Sequence, residues 1–477
     1  MVAIGIVSEV VYLAYVLLFP LMRYGAASRP FDMEQIAGDR RWMAVVWLVG
    51  LLVLYGAFGL AMAGSETRTR TRSRRVILGF GALFGFTLIW LYPVTATDLF
   101  QYVLRARVGV VYGANPMSVP PSSFPNDPLL PFAGEWKDIV SPYGPAWELL
   151  AAGVARLGFT GAVSGTLAYK GVAFLGYLAC LWLLNRGTCR RGRPVGDARG
   201  LLLFAWNPLV LVQGVGNGHN DLVMLIWLLA GIIFWQRRCD AGRAANWVIA
   251  SAAMALAALT KASAVLMGLL LAVDVVRAQI TWWRRFLVMG GMAAVAVALA
   301  LLAYLPFWPP WQSIAGVLDE MSNRYTYTIS AMLRLWLREL LPPQAAWDVP
   351  RATGMLLFLG VLVWTMAQLW RRRLDLASAG FLVYFAYLVG GASYRIWYPL
   401  WLVPLAALSP ASAARWRAIL ICLTSELSLV FFYFVWRWYW PDASWLQMHL
   451  LVVPWQFGIP LVLPILCRQR SEDGCRA

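Results

Sequence analysis

The chain has 477 residues, 61% of them hydrophobic and 13% charged, with a net charge of +17 and a mean hydropathy of +0.64. A soluble domain carries about 25% charged residues, so this composition excludes a water-soluble globule, a disordered chain, a collagen and a disulfide-stapled secreted scaffold. It predicts an all-α polytopic membrane protein, and the 26 Trp and 19 Tyr suit a chain with many membrane interfaces.

The basic residues are 37 Arg and only three Lys: Lys137, Lys170 and Lys261. Twenty-four of the arginines fall in seven short segments between apolar runs, at 64–75, 186–200, 236–243, 277–285, 371–375, 409–417 and 467–477. With only six acids among them, these segments hold the whole positive excess. That is the positive-inside pattern, not a nucleic-acid surface.

In chain order, full-length apolar candidates are 1–22, 42–63, 76–94, 163–185, 286–305, 352–370, 417–436 and 446–466. Shorter ones are 201–215, 221–236, 245–260, 262–276, 376–392 and 397–409. A span takes about 20 residues, so the expectation is a bundle of about 13–14 helices in the cytoplasmic membrane with both termini cytoplasmic. Residues 1–22 lack a basic n-region and read as a retained helix. The stretch 144–160 carries Glu148 and Arg156. If it spanned, the five-Arg segment 186–200 would change sides, so a juxtamembrane or re-entrant helix is expected there. Two long segments, 95–162 and 306–351, are expected as structured loops on the extracytoplasmic face, the second with an amphipathic stretch near SAMLRLWLREL. The chain divides on this reading into two N-terminal helices (1–75), a core (76–305) that includes the first loop, the second loop (306–351) and C-terminal helices (352–477), all within one module. The six cysteines show no disulfide or metal-binding spacing.

Four helix tips carry polar groups where apolar turns would serve. The first is Asp98 with Gln101, Tyr102 and Arg105 at i+3, i+4 and i+7, one face of a helix. The second is QGVGNGHNDLVM, with His219, Asn220 and Asp221; the third holds Lys261; the fourth is Ser393-Tyr394-Arg395. The charge pattern places all four on one membrane face, and an ionisable group at bilayer depth costs at least ~2.5–3.5 kcal/mol. Carboxylates facing cations at a membrane surface suit deprotonation of a hydroxyl and binding of a phosphate. No phosphate-binding Gly-rich loop or dinucleotide fingerprint is present. The expected chemistry is group transfer from a lipid-phosphate donor.

The run 95–151 resembles the first loop of polyprenyl-phosphate-dependent mannosyltransferases, nearest the bacterial α-1,6-mannosyltransferases of lipomannan synthesis. The matching residues are Asp98, Tyr102, Gly113, Asn115-Pro116, Asp127-Pro128, Trp136 and Tyr143-Gly144-Pro145. AWNPLVLVQGVGNGHNDLVML, Lys261 and RIWYPLWLVPL follow in the family's order. The resemblance implies a GT-C-type fold and inversion at the anomeric carbon of a polyprenyl-phosphate sugar, with mannose as the expected sugar. Asp98 is then the general base. His219, Asn220, Asp221, Lys261, Arg395 and Arg105 are expected around the donor phosphate and sugar, and Tyr102, Trp136 and Tyr143 are expected to stack on sugar rings. Implied partners are the donor, a glycan or glycolipid acceptor and membrane lipid. Many relatives carry paired acids in this loop; here Leu99 follows Asp98. The motif therefore does not require a divalent metal and assigns no metal ligand, but it leaves a metal open, with Asp221 as a second carboxylate from another helix. Other readings are an enzyme of the same architecture for glucose, arabinose or an aminosugar, a polyprenyl-lipid flippase, or a structural scaffold. A flippase predicts cations along a through-membrane cavity and often internal repeats; the polar tips cluster on one face instead, and no repeat is visible.

Overall fold

The computed structural model describes all residues except 28, 39, 65–69, 188–197, 242–245, 310, 312–313, 315–325 and 474–477. Parts of several Arg-rich segments, of the second long loop, and Cys189 and Cys475 lie outside the described residues. Among those described the protein is all-α, with two isolated bridges and no β-strand. Six helices are long and apolar enough to cross a membrane, and a seventh span results if Ala198–Ala205 and Val210–Gly216 count as one. Five more apolar helices are shorter, among them Val2–Leu18, Asp221–Gln236 and Leu376–Gly390. Against eight full-length and six shorter apolar runs expected, the described residues hold six or seven of the former and five of the latter, so part of the apolar sequence is cut into helices of 10–17 residues.

Helix ends differ from expectation where local chemistry overrides hydropathy. The helix expected over 76–94 is Arg70–Leu88. Pro93 disfavours helix in the residue before it, and the chain beyond Leu88 pairs instead with the end of the first helix: Leu21 N–H donates to Trp90 O (2.9 Å) and Tyr92 N–H to Phe19 O (2.8 Å). The apolar run 201–215 breaks at Asn207-Pro208, where Pro has no N–H to give and Asn207 Oδ1 caps Leu209 N–H at 3.0 Å. The helix expected from 352 starts at Pro343, a residue suited to a first helical position. The segment 144–160 forms a helix over Pro145–Arg156 only. At 1.5 Å per residue its 12 residues reach about 18 Å, too short to span.

The chain forms two compact units. The first comprises Met1–Ile36, Thr69–Gly196 and Leu211–Ser322. Here Val2–Leu18 packs on Arg70–Leu88, which packs on Ala162–Gly187; that helix packs on Asp221–Ala241, which packs on Asn246–Thr260. The first long loop is ordered on this framework: Asp98–Val110 lies against both Pro145–Arg156 and Ala162–Gly187. The second unit comprises Ala37–Arg68, Asp197–Val210 and Asn323–Ala477. In it Trp42–Gly64 packs on Ser412–Val430, and Pro343–Trp370 packs on Leu376–Gly390. Of the first two apolar helices, Val2–Leu18 belongs to the first unit and Trp42–Gly64 to the second.

Candidate active site

Within the first unit, the Asp98 helix meets the first loop and two helix-connecting turns. Asp98 occupies the helix's first turn, where the dipole favours an anion, and its side chain is 24% exposed. Tyr143 donates its hydroxyl to Asp98 Oδ1 at 2.9 Å. His219 Nε2 stands 4.0 Å from Asp98 Oδ2. The other residues of the same helical face grip the loop. Gln101 Nε2 donates to Phe132 O and Ala133 O, and Arg105 Nη2 donates to Ile139 O.

The turn carrying His219 follows a π-helical stretch, Val210–Gly216. Gly218 takes a φ of +66°, and a Cβ there would lie 2.7 Å from a Leu99 methyl, so glycine alone fits. Gln213, Asn217 and Thr95 form a buried network joining this turn to the segment before Asp98. His219 Nδ1 contacts the carbonyl of Gln213 at 2.5 Å. A carbonyl only accepts, so Nδ1 carries the proton and Nε2 is the ring atom directed at Asp98. Burial lowers the His219 pKa from its ordinary value, against the opposing pull of Asp98 and Asp221. The lowered pKa favours the neutral imidazole.

Asp221 is fully buried in the first turn of its helix, and Lys261 Nζ donates to both of its oxygens, at 2.7 and 2.8 Å. Both residues sit near the sequence-expected site, but as an ion pair, so Lys261 brings its charge already matched. The Tyr143-Gly144-Pro145 turn joins these parts. Gly144 N–H donates to Thr260 O at 3.2 Å, and a Cβ on Gly144 would fall 2.0 Å from Leu259 O. Pro145 opens the next helix. The turn thus holds Tyr143 on Asp98 while resting on the strand of chain that presents Lys261.

The aromatics expected to stack on sugar are placed differently. Tyr102 is buried, its ring packed with those of Tyr143, Trp147 and Tyr169, and its hydroxyl oxygen accepts from Asn220 N–H at 3.3 Å. Tyr143 is 7% exposed and belongs to the same cluster. Their faces meet protein, and what they offer the site is the hydroxyl; burial keeps both phenols protonated. Trp136 is half-buried at the end of the Leu130–Trp136 turn. Arg395 belongs to the second unit and is half-buried. Among the described residues no three His, Cys, Asp or Glu side chains group as a metal site requires.

Sequence reasoning passed over two groups. Glu148 is buried beside Arg105, accepts from Ser141 Oγ at 2.5 Å, and has its carboxyl pKa raised chiefly by burial. Lys170 is fully buried and donates to Leu88 O (3.3 Å) and Gly216 O. It ties the end of one helix to the start of the His219 turn, and its only signal in the sequence is a lone Lys in an apolar run. Two buried donors, Arg105 Nε and Asn220 Nδ2, make no hydrogen bond.

Residues 20–279, more than half the chain, match the family model described as the N-terminal domain of alpha-(1->6)-mannopyranosyltransferases. The chain belongs to this family. The match covers every site residue above except Arg395. Alpha-(1->6)-mannopyranosyltransferase A of Mycobacterium tuberculosis is 30% identical over 168 residues, 33% of this chain and 32% of that protein. Alpha-(1->6)-mannopyranosyltransferase B of Corynebacterium glutamicum is 26% identical over 218 residues, 43% of this chain and 35% of that protein. The chain thus aligns with about a third of the length of the curated mannopyranosyltransferases it matches. No solved structure matches it.

Proposed function

We propose that the protein is a membrane-embedded, GT-C-type mannosyltransferase that moves mannose from a polyprenyl-phosphate donor to a hydroxyl of a glycan or glycolipid, with inversion, on the extracytoplasmic face. The observation that carries this reading is the partly exposed Asp98 carboxylate, held by Tyr143 and facing the neutral His219, in a chain of the mannopyranosyltransferase family. Asp98 accepts the proton of the acceptor hydroxyl as its oxygen attacks the anomeric carbon, and the lipid phosphate leaves with the bonding pair. His219 Nε2, a neutral acceptor, orients a substrate hydroxyl beside the carboxylate. Asn220 Nδ2 and Arg105 Nε, buried donors without partners, are assigned to donor oxygens. The Lys261–Asp221 pair holds the His219 turn against the Lys261 turn. Trp136 is proposed as a sugar-stacking ring.

The test is transfer from radiolabelled polyprenyl-phosphate mannose to an α-mannoside by the purified full chain, with the product's anomer read by α-mannosidase digestion. Asp98→Asn is expected to fold and insert while losing at least about a hundredfold in turnover, the scale of a lost general base. Near-normal transfer by that variant removes the base assignment. Transfer from glucose or arabinose donors in place of mannose moves the enzyme to another sugar.

A further inference from the structure

The tip joining Ser412–Val430, with its continuation to Tyr439, to Trp445–Asp473 lies in the second unit. Arg415 and Arg417 lie in the first turns of the one helix and residues 467–473 end the other, so the tip is at the opposite end from these two segments, and it carries Arg437 of its own. It encloses an open cavity of about 450 Å³ lined by Tyr439, Trp440, Asp442, Gln447, Met448 and Leu451 among others. That volume falls within the ~300–1,000 Å³ range of small-ligand clefts.

The walls are braced. Ser444 and Gln447 cap each other's backbone, Ser444 N–H to Gln447 Oε1 at 2.7 Å and Gln447 N–H to Ser444 Oγ at 3.2 Å, a reciprocal cap that fixes the helix start. Trp436 Nε1 holds Ala443 O at 2.9 Å, and Trp440 N–H donates to Val435 O at 3.2 Å. The Arg41 guanidinium sits over the Tyr439 ring, 5.3 Å from its centroid. Yet Tyr439 and Trp440 remain 61% and 53% exposed. Rigid, exposed rings next to a carboxylate and an amide match a pyranose, whose C–H face packs on an aromatic while its rim of hydroxyls donates to a carboxylate. An interfacial aromatic belt needs only the rings; here Asp442 and Gln447 stand beside them and add partners for the hydroxyls of a polyol.

We propose that the Tyr439–Leu451 tip is a saccharide-binding subsite that holds a neutral pyranose of an extended glycan. The choice of mannose rests on the mannosyl-transfer reading; the existence of the subsite does not. Trp440 and Tyr439 stack on the sugar, Asp442 and the Gln447 amide nitrogen bind its hydroxyls, and Met448 and Leu451 form the floor.

The experiment titrates α-(1→6)-mannotriose into the full chain in detergent, read by calorimetry and tryptophan emission. Wild type and Asp98→Asn are both expected to bind. Trp440→Ala is expected to weaken binding by about tenfold or more, as truncation of a central aromatic contact does, and Asp442→Asn by a similar factor for a lost charge-assisted bond. Trp440→Phe keeps a ring and should retain most of the affinity, which separates contact from folding. In transfer assays the same variants should raise KM for a long mannan acceptor and leave kcat unchanged, with no effect on a monosaccharide glycoside. Wild-type affinity in Trp440→Ala overturns the proposal. So does loss of all binding in Asp98→Asn, or emission that responds only to reconstitution into vesicles and never to sugar. A protein that binds mannotriose at Trp440 but transfers no mannose keeps the subsite and removes the reaction.

Discussion

Tyr143 and Asp98 are 45 positions apart, yet the phenol of one donates to the carboxylate of the other at 2.9 Å. Burial and the neighbouring Asp98 charge keep the phenol protonated, so Tyr143 is a fixed donor that orients the carboxylate. Tyr143→Phe retains the ring and its packing and deletes only the hydroxyl. It is expected to lower kcat about ten- to hundredfold, the worth of a hydrogen bond to a charged group, while KM and thermal stability change little. An unchanged kcat in the Phe variant with a loss only in the Ala variant, or a large fall in melting temperature for Phe, would assign Tyr143 to packing alone.

His219 makes the pH behaviour predictable in sign. Its pKa is lowered, chiefly by burial, so the folded protein binds fewer protons than the unfolded chain below the ordinary value of about 6.5. The stability tied to neutral His219 is complete above that pH and is lost as pH falls towards the folded value. Protonation also turns Nε2 from an acceptor into a donor aimed at Asp98, 4.0 Å away, which engages the proposed base. Turnover and melting temperature should therefore fall together on the acid side of pH 6.5, and His219→Gln should flatten the melting-temperature part of that dependence. An unchanged stability profile in the Gln variant would show that another group titrates there.

Lys261 and Asp221 test pairing against phosphate binding. Removing one partner of a buried pair leaves an uncompensated charge and costs about 3–5 kcal/mol. Lys261→Met should destabilise the protein on that scale, and Lys261→Met with Asp221→Leu should recover much of the loss. If Lys261 serves only the pair, transfer recovers along with stability. Recovery of melting temperature without recovery of transfer would return to Lys261 the phosphate role the sequence suggested.

The site's parts were legible because their spacing is local. Asp98, Gln101, Tyr102 and Arg105 share a face by helical periodicity alone. What the parts do to one another was less legible. The Lys261–Asp221 pair depends on how Asp221–Ala241 packs on Asn246–Thr260, and no spacing in the sequence encodes that crossing. Tyr102 and Tyr143 look like sugar platforms as isolated aromatics; only the fold shows Tyr102 buried, with Trp147 and Tyr169 packed in T-shaped contact with its ring. Hydropathy likewise carried the helix expected to residue 94 past Leu88, because it is blind to Pro93 and to Lys170, which captures the Leu88 carbonyl.

Gly144 gives the sharpest steric prediction. A methyl group there would lie 2.0 Å from Leu259 O, backbone on backbone, with no flexible side chain to yield. Gly144→Ala must part the turn from the end of Asn246–Thr260, breaking the Gly144–Thr260 hydrogen bond. Overpacking of this kind costs about 1–3 kcal/mol, a modest loss for a folded membrane protein. The displacement, however, falls next to Tyr143 on one side and Lys261 on the other. Transfer should therefore drop by more than the melting temperature implies, and kcat should drop with the same sign as in Tyr143→Phe. Combining Gly144→Ala with Tyr143→Phe should then cost less than the product of the two single effects, since both act by releasing Asp98. Strict additivity in that double variant would separate the turn from the carboxylate and leave Gly144 a purely architectural residue.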